Sequence, residues 1–139
     1  MKYILTVIIL GTIIQSEPKI EGKWKIQSYG AIDNIKLSPA YTFGDPDTKE
    51  QIDELFRLML EKGEYHFQND TLIYTDIEKQ KLVKRRAIYK NKDGILTITE
   101  IDRPYERQAE IYHLSNDSLI VLPIIEGKSG SKLIFKKVK

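Results

Sequence analysis

Hydrophobic and polar residues alternate along most of the chain. From Gly22 to Tyr29 the order runs Lys23, Trp24, Lys25, Ile26, Gln27, Ser28, which puts Trp24 and Ile26 on one face of an extended ribbon and polar side chains on the other. The same period of two returns over Glu64–Gln68, Thr71–Asp76, Leu82–Lys90, Ile95–Ile101, Tyr105–Leu114, Ser118–Ile124 and Lys132–Val138. Between these runs lie Asn69-Asp70, Asn91-Lys92-Asp93-Gly94, Asp102-Arg103-Pro104 and Ser115-Asn116-Asp117, residue types that accept tight turns, and a Gly-containing loop from Glu126 to Ser131. The pattern predicts an all-β chain, an eight-stranded antiparallel up-and-down meander. Closure into a barrel removes exposed strand edges, with an open, strongly curved sheet as the alternative. A barrel of this size either fills with its own side chains or holds one small ligand, so function turns on its interior.

One segment breaks the two-residue period. Ile52, Leu55, Phe56 and Met59 recur at helical spacing, with Glu50, Asp53, Glu54, Arg57 and Glu61 on the other side. This predicts one amphipathic helix, from about Thr48 to Lys62, between the first and second strands. Asp47 and Glu50 are spaced as a capping box, and Gly63 is suited to a left-handed helix end. Leu58 falls off the stripe, either exposed or making a second contact. Before the helix, Ser38, Pro39, Tyr41, Phe43, Gly44 and Pro46 read as an ordered loop carrying two aromatics.

The chain has 139 residues, and its first stretch has the grammar of a targeting segment. Lys2 supplies the charge, and Ile4 to Ile14 is apolar apart from Thr6, Gly11 and Thr12, a run too short to span a bilayer. Residues 1–16 therefore read as a signal peptide cleaved near Ser16, and 17–139 as one domain that is secreted or periplasmic in a bacterium. With no Cys, lipid attachment at the cut, disulfides and thiol chemistry are excluded, so stability rests on burial and sheet pairing. The 22 basic and 20 acidic residues are evenly mixed, which gives no signal for nucleic acid, and no stable membrane span is expected.

Gly22-Lys23-Trp24 at the start of the first strand, a helix before the second, and the paired segments Ile111–Leu122 and Leu133–Val138 resemble secreted bacterial lipocalin-like domains of the calycin type. The resemblance covers essentially all of residues 17–139. It implies an eight-stranded barrel able to bind a small apolar molecule, with Trp24 at the closed end. The chain departs from the family in offering Lys136 and Lys137 where an arginine stands near the last strand over the tryptophan, and in having no Thr-Asp-x-x-Tyr turn.

Inward parity gathers Tyr65, Phe67, Leu96, Ile98, Ala109, Ile111, Leu119, Val121, Leu133 and Phe135. Core filling is their plain role; small Ala109 hints at spare volume. Arg85 is the sharper case: Val83, Ala87 and Tyr89 share its parity, so a cation projects inward and needs a carboxylate, either an internal one such as Glu100 or one on a ligand. The ligand-binding candidates are Trp24, Tyr65, Phe67, Arg85, Tyr89, Ile98, Ile111 and Phe135. His66 is expected to face outward, and His113 to sit near a strand end, across a bulge; two distant histidines make no metal motif. Gly127-Lys128-Ser129 lacks the preceding Gly and following helix of a phosphate loop, and no nucleophile elbow or carboxylate pair is present. The expectation is a non-enzymatic binding protein for a small hydrophobic ligand, without cofactor. The alternative is a filled barrel used as a protein-interaction or inhibitor module, with Tyr41, Phe43 and Leu58 as its patch.

Overall fold

The computed structural model describes residues 17–139; the targeting segment expected over residues 1–16 lies outside the described residues. In chain order the elements are β1 (Gly22–Tyr29), α1 (Gly30–Lys36), α2 (Pro39–Thr42), α3 (Pro46–Lys62), β2 (Glu64–Gln68), β3 (Thr71–Glu78), β4 (Lys81–Lys92), β5 (Ile95–Glu100), β6 (Glu106–Leu114), β7 (Ser118–Ile125), β8 (Lys128–Ser129) and β9 (Leu133–Lys137). Neighbours from β1 to β7 pair antiparallel, β9 pairs with both β7 and β1, and the ring of eight is closed. The open-sheet alternative is thereby ruled out. The two-residue β8, inside the segment expected to be a loop, adds only to Ile124–Ile125 of β7.

Register explains the core. Trp24 stands opposite Tyr65, Leu72 opposite Ala87, Tyr89 opposite Ile98, Leu96 opposite Ala109 and Leu119 opposite Phe135. Each pair points inward, and Trp24, Phe67, Leu72, Tyr74, Leu119 and Phe135 are essentially inaccessible to solvent. Strict alternation fails at two bulges. One, between Ile26 and Ser28 against β9, reverses parity, so that Tyr29 comes opposite inward-facing Leu133. The other, between Ile111 and His113 against β7, leaves exposed His113 opposite Ile120, as expected of a bulge there.

One end of the barrel is sealed by Ile20 and Trp24, whose indole Nε1 donates to the Ile20 carbonyl at 2.7 Å. At the other end α3, the expected long helix, contacts β1, β3 and β4, and its Met59 enters the core. Its start differs from the capping box expected at Asp47: Asp45 is the cap, its carboxylate accepting from Thr48 N at 2.9 Å and Thr48 Oγ1 at 2.7 Å, with Pro46 as the first helical residue. Proline fits there because its missing N–H would have had no partner. Its end differs too. Gly63 is extended, at φ −70 and ψ 128, not left-handed. The glycine is needed for space, since a Cβ would lie 2.3 Å from the Met59 carbonyl oxygen and 2.8 Å from Ile26 Cδ1. Two short helices, α1 and α2, precede α3; α2 lies in the stretch expected to be a loop, with the Ser38 side chain accepting from Tyr41 N. Among the described residues no helix is long and apolar enough to cross a membrane.

Candidate functional site

Following the inward rows away from Trp24, side chains turn from apolar to charged. Asp76 comes two residues after Tyr74, Arg85 two before Ala87, Glu100 two after Ile98, and Arg107 two before Ala109. Register brings them together: Tyr74 faces Arg85, Ala87 faces Glu100, and Ile98 faces Arg107. A ring of charge therefore lines the mouth above an apolar floor.

Most of that charge is paired. Arg85 Nε donates to Asp76 at 2.6 Å, and its guanidinium also reaches Glu78 at 3.4 Å. Its pKa lies above the ordinary arginine value, chiefly through the bond to Asp76. Arg103, on the turn before β6, bonds Glu100 at 3.2 Å and approaches Asp76 at 3.5 Å. Glu100, buried at 7 % exposure, also accepts from the Tyr74 hydroxyl. Burial first, and then that bond, push the Tyr74 pKa well above the usual phenol value.

Arg107 is different. Its guanidinium carbon lies 4.7 Å from the Tyr74 ring centroid. Burial acts against its charge, but Tyr65, Tyr74, Glu100 and Asp76 around it outweigh this, and its pKa is raised. Among the described residues no carboxylate forms an ion pair with it; its Nε and Nη2 are buried with no well-aligned hydrogen-bond partner, and the Tyr65 hydroxyl is the neutral polar group beside the guanidinium.

Arg107 lines a cavity of about 70 Å³ inside the barrel, with Tyr29, Tyr65, Phe67, Ile98, Leu119 and Phe135 among its other walls. Tyr65 packs on Phe67, Tyr74 and Phe135 with centroids 6.3, 5.2 and 4.8 Å away. Burial pushes its phenol pKa up to about 12, with the Arg107 charge pulling the other way. Other depressions, such as the one between α3 and Gln80, are open surface hollows lined largely by polar and acidic side chains. The barrel interior joins apolar walls to a few polar groups at one end, the composition of a ligand site; Nε of Arg103, like the two Arg107 nitrogens, is buried without a hydrogen-bond partner among the described residues.

Of the residues singled out by sequence, Tyr65, Phe67, Ile98 and Phe135 line this cavity, as does small Ala109. Trp24 is floor, Tyr89 packs edge-on to Phe67 at 4.9 Å, and Ile111 is half-buried against the core; none of the three lines the cavity. Arg85 faces inward as its parity requires, but its carboxylate partner is Asp76, not Glu100, because the β3–β4 register sets Asp76 diagonally beside it. Four lining residues, Tyr29, Arg107, Gln108 and Pro123, were not foreseen. Arg107 carried a signal, its shared parity with Ala109 and Ile111; Tyr29 carried none, because only the bulge brings it inward. Among the described residues no group of three or more His, Asp or Glu is placed to hold a metal ion.

No protein-family model matches the chain, and no curated protein matches it. Two crystal structures share its architecture. A lipocalin-like protein from Bacteroides uniformis superposes with a TM-score of 0.52 at 18% identity, covering 86% of this chain and 98% of that one. An uncharacterized protein from Bacteroides eggerthii gives 0.51 at 16% identity, covering 86% and 100%. At such identities the likeness concerns the fold alone, and it agrees with the strand order, the closure and the helix between β1 and β2: the chain has a lipocalin-like fold, a closed eight-stranded antiparallel barrel.

Proposed function

We propose that the mature chain is an exported, non-enzymatic binding protein that takes a small, mainly apolar molecule into its barrel through the mouth framed by Tyr29, Tyr65 and Arg107. The observation that supports this is the cavity itself, about 70 Å³ of space walled by Phe67, Ile98, Leu119 and Phe135 in a core otherwise closely packed. Export rests on Lys2 and the apolar run Ile4–Ile14 ahead of the charged chain. Native mass spectrometry after incubation with envelope lipid and metabolite extracts tests the binding reading, together with amide shift mapping using small alcohols. Bound mass, or shifts at Ile98, Leu119 and Phe135, is expected; an apo mass across all extracts and no interior shifts would discard it.

A second reading has its own observation. Leu37 and Phe43, on the connection between β1 and α3, are 81% and 85% exposed. In a filled barrel used as a scaffold, these side chains would dock on a protein partner. Of the patch expected from sequence only Phe43 is bare: the Tyr41 hydroxyl donates to Asp53 at 2.6 Å, and Leu58 is half-buried. A stable partner recovered by wild-type protein and lost in Phe43→Ser, from a barrel that takes no small molecule, would favour this reading.

A further inference from the structure

We propose that the recess between the end of α3 and strands β1 and β9, on the outside of the barrel, docks an acidic, extended segment of a partner protein. This site is separate from the barrel interior and does not depend on it.

The recess has a volume of about 440 Å³ and is lined by Lys25, Ile26, Gln27, Leu60, Lys136 and Val138, with Lys137 beside them and no carboxylate among its walls. Its first feature is uncompensated charge. Lys23 and Lys25 point outward because Trp24 and Ile26 take the inward face of β1, and register sets Lys25 directly opposite Lys136 of β9. Like charges facing each other across a sheet cost stability, and an anion from outside relieves that cost. On its other side Lys25 faces Glu64, but that carboxylate lies 3.5 Å from the ammonium of Lys84. Lys23 faces His66, which offers no anion. Among the described residues none of Lys23, Lys25 and Lys136 has an ion-pair partner. The concentration is local, since the whole chain has 22 basic and 20 acidic residues and the hollow between α3 and Gln80 is lined by Asp47, Glu50 and Glu54.

The second feature is bare apolar surface. Leu60 and Val138, in the same recess, are 37% and 41% exposed. Apolar side chains flanked by ammonium groups fit an occupant that carries both carboxylates and hydrocarbon.

The third is shape and spacing. Two positions on one face of a strand are ~7 Å apart, so Lys23 and Lys25 match alternate residues of any extended chain. Carboxylates at alternate positions would meet the lysines in step, and the side chains between them would turn to the opposite side, towards Leu60 on the helix wall. At ~30 Å³ for a water-sized group, a recess of about 440 Å³ takes about fifteen heavy atoms, roughly two residues. A bilayer presents a plane, which touches the rim of such a recess without entering it, so a polypeptide segment fits better than a lipid surface.

The experiment uses residues 17–139 and the fluorophore-labelled peptide acetyl-Glu-Leu-Glu-Leu-Glu-amide, with its all-Gln counterpart, read by anisotropy and by amide shifts. The acidic peptide is expected to bind about tenfold tighter than the Gln peptide, to shift Leu60 and Val138, and to weaken several-fold as ionic strength rises from about 0.02 to about 0.3 M. Lys25→Gln and Lys136→Gln are each expected to lower its affinity, while Lys128→Gln, on β8, leaves it unchanged. The first two should also melt no lower than wild type, because each relieves a like-charge pair; the neutral replacements keep the fold in place for the binding test. No binding of the acidic peptide, equal binding of the Gln peptide, or a loss in Lys128→Gln as large as in Lys25→Gln would overturn the proposal. So would phosphatidylglycerol vesicles that bind wild type and not Lys25→Gln while the peptide stays free, since the face would then serve a lipid surface.

Discussion

The ammonium of Lys137 stands 4.5 Å from the centroid of the Trp24 ring. It also donates to the Glu21 carbonyl, and Trp24 and Lys137 are register partners across β1 and β9. Gly22 makes the arrangement possible: its φ is +122, and a Cβ there would lie 2.3 Å from Lys137 Nζ. The Gly-x-Trp sequence and the last strand thus form one lock at the closed end, with lysine in the place where the resemblance called for arginine. Lys137→Ala is expected to lower unfolding free energy by about 1 kcal/mol through loss of the cation over the ring and of the carbonyl bond. Lys137→Arg should retain most of it, since a guanidinium also stacks on indole. Urea titrations of the three proteins check this; equal midpoints would show that the contact contributes nothing.

Gly63 joins α3 to β2 under a different constraint. Its backbone angles suit any residue, so the expected effect of Gly63→Ala comes from crowding alone: the methyl group must displace the Met59 carbonyl or Ile26. A loss of about 1–3 kcal/mol is expected, as for other overpacked core sites. Gly22→Ala adds an unfavourable φ to a clash with a flexible lysine tip, so the two variants separate backbone strain from packing. A Gly63→Ala protein as stable as wild type would mean that the junction has slack the packing does not show.

The strands were legible because each has one buried face: Phe67, Leu96, Ile98, Leu119, Val121 and Phe135 announce the interior through parity alone. Local chemistry was less informative where two residues compete for one role. Asp45 and Asp47 both suit a helix cap, and Pro46 at the first helical position decides for Asp45. Parity also placed Arg85 correctly, but a charge partner is set by cross-strand register, which a single sequence does not display; Asp76 became its partner that way. Arg107 was readable from Ala109 and Ile111, yet charged residues on a strand are naturally assigned to the wet face. Tyr29 was beyond reach, since a bulge reverses parity without any distinctive residue.

Arg85 and Asp76 carry an expectation about the site. Because Arg85 Nε already bonds Asp76 and Glu78 stands nearby, Arg85→Leu should leave small-molecule affinity unchanged. Asp76→Ala should lower the melting temperature more than Glu78→Ala, because Asp76 meets both Arg85 and Arg103 whereas Glu78 meets only Arg85 from a more exposed position. Calorimetric melts and ligand titrations of these variants test the division. A binding defect in Arg85→Leu would show that this guanidinium takes part in holding the ligand despite its two ion pairs.

The interior tyrosines Tyr65 and Tyr74 make stability depend on alkaline pH. Burial holds the Tyr65 phenol protonated up to about 12 in the folded chain, while the unfolded chain releases that proton near 10. The native state therefore binds more protons between those values, and by linkage its stability falls as pH rises through the window. Below pH 10 the contribution is fully present; above 12 it is gone. Tyr74 shifts in the same direction and further, from burial and then from its bond to Glu100. Tyr65→Phe keeps the ring stacked among Phe67, Tyr74 and Phe135 but has no proton to lose. Its unfolding free energy should therefore fall less steeply between pH 10 and 12 than that of wild type, by up to about 2 kcal/mol across the window. Guanidinium titrations at half-unit pH steps resolve a difference of that size. Parallel curves for the two proteins would mean that the Tyr65 hydroxyl reaches water in the folded state.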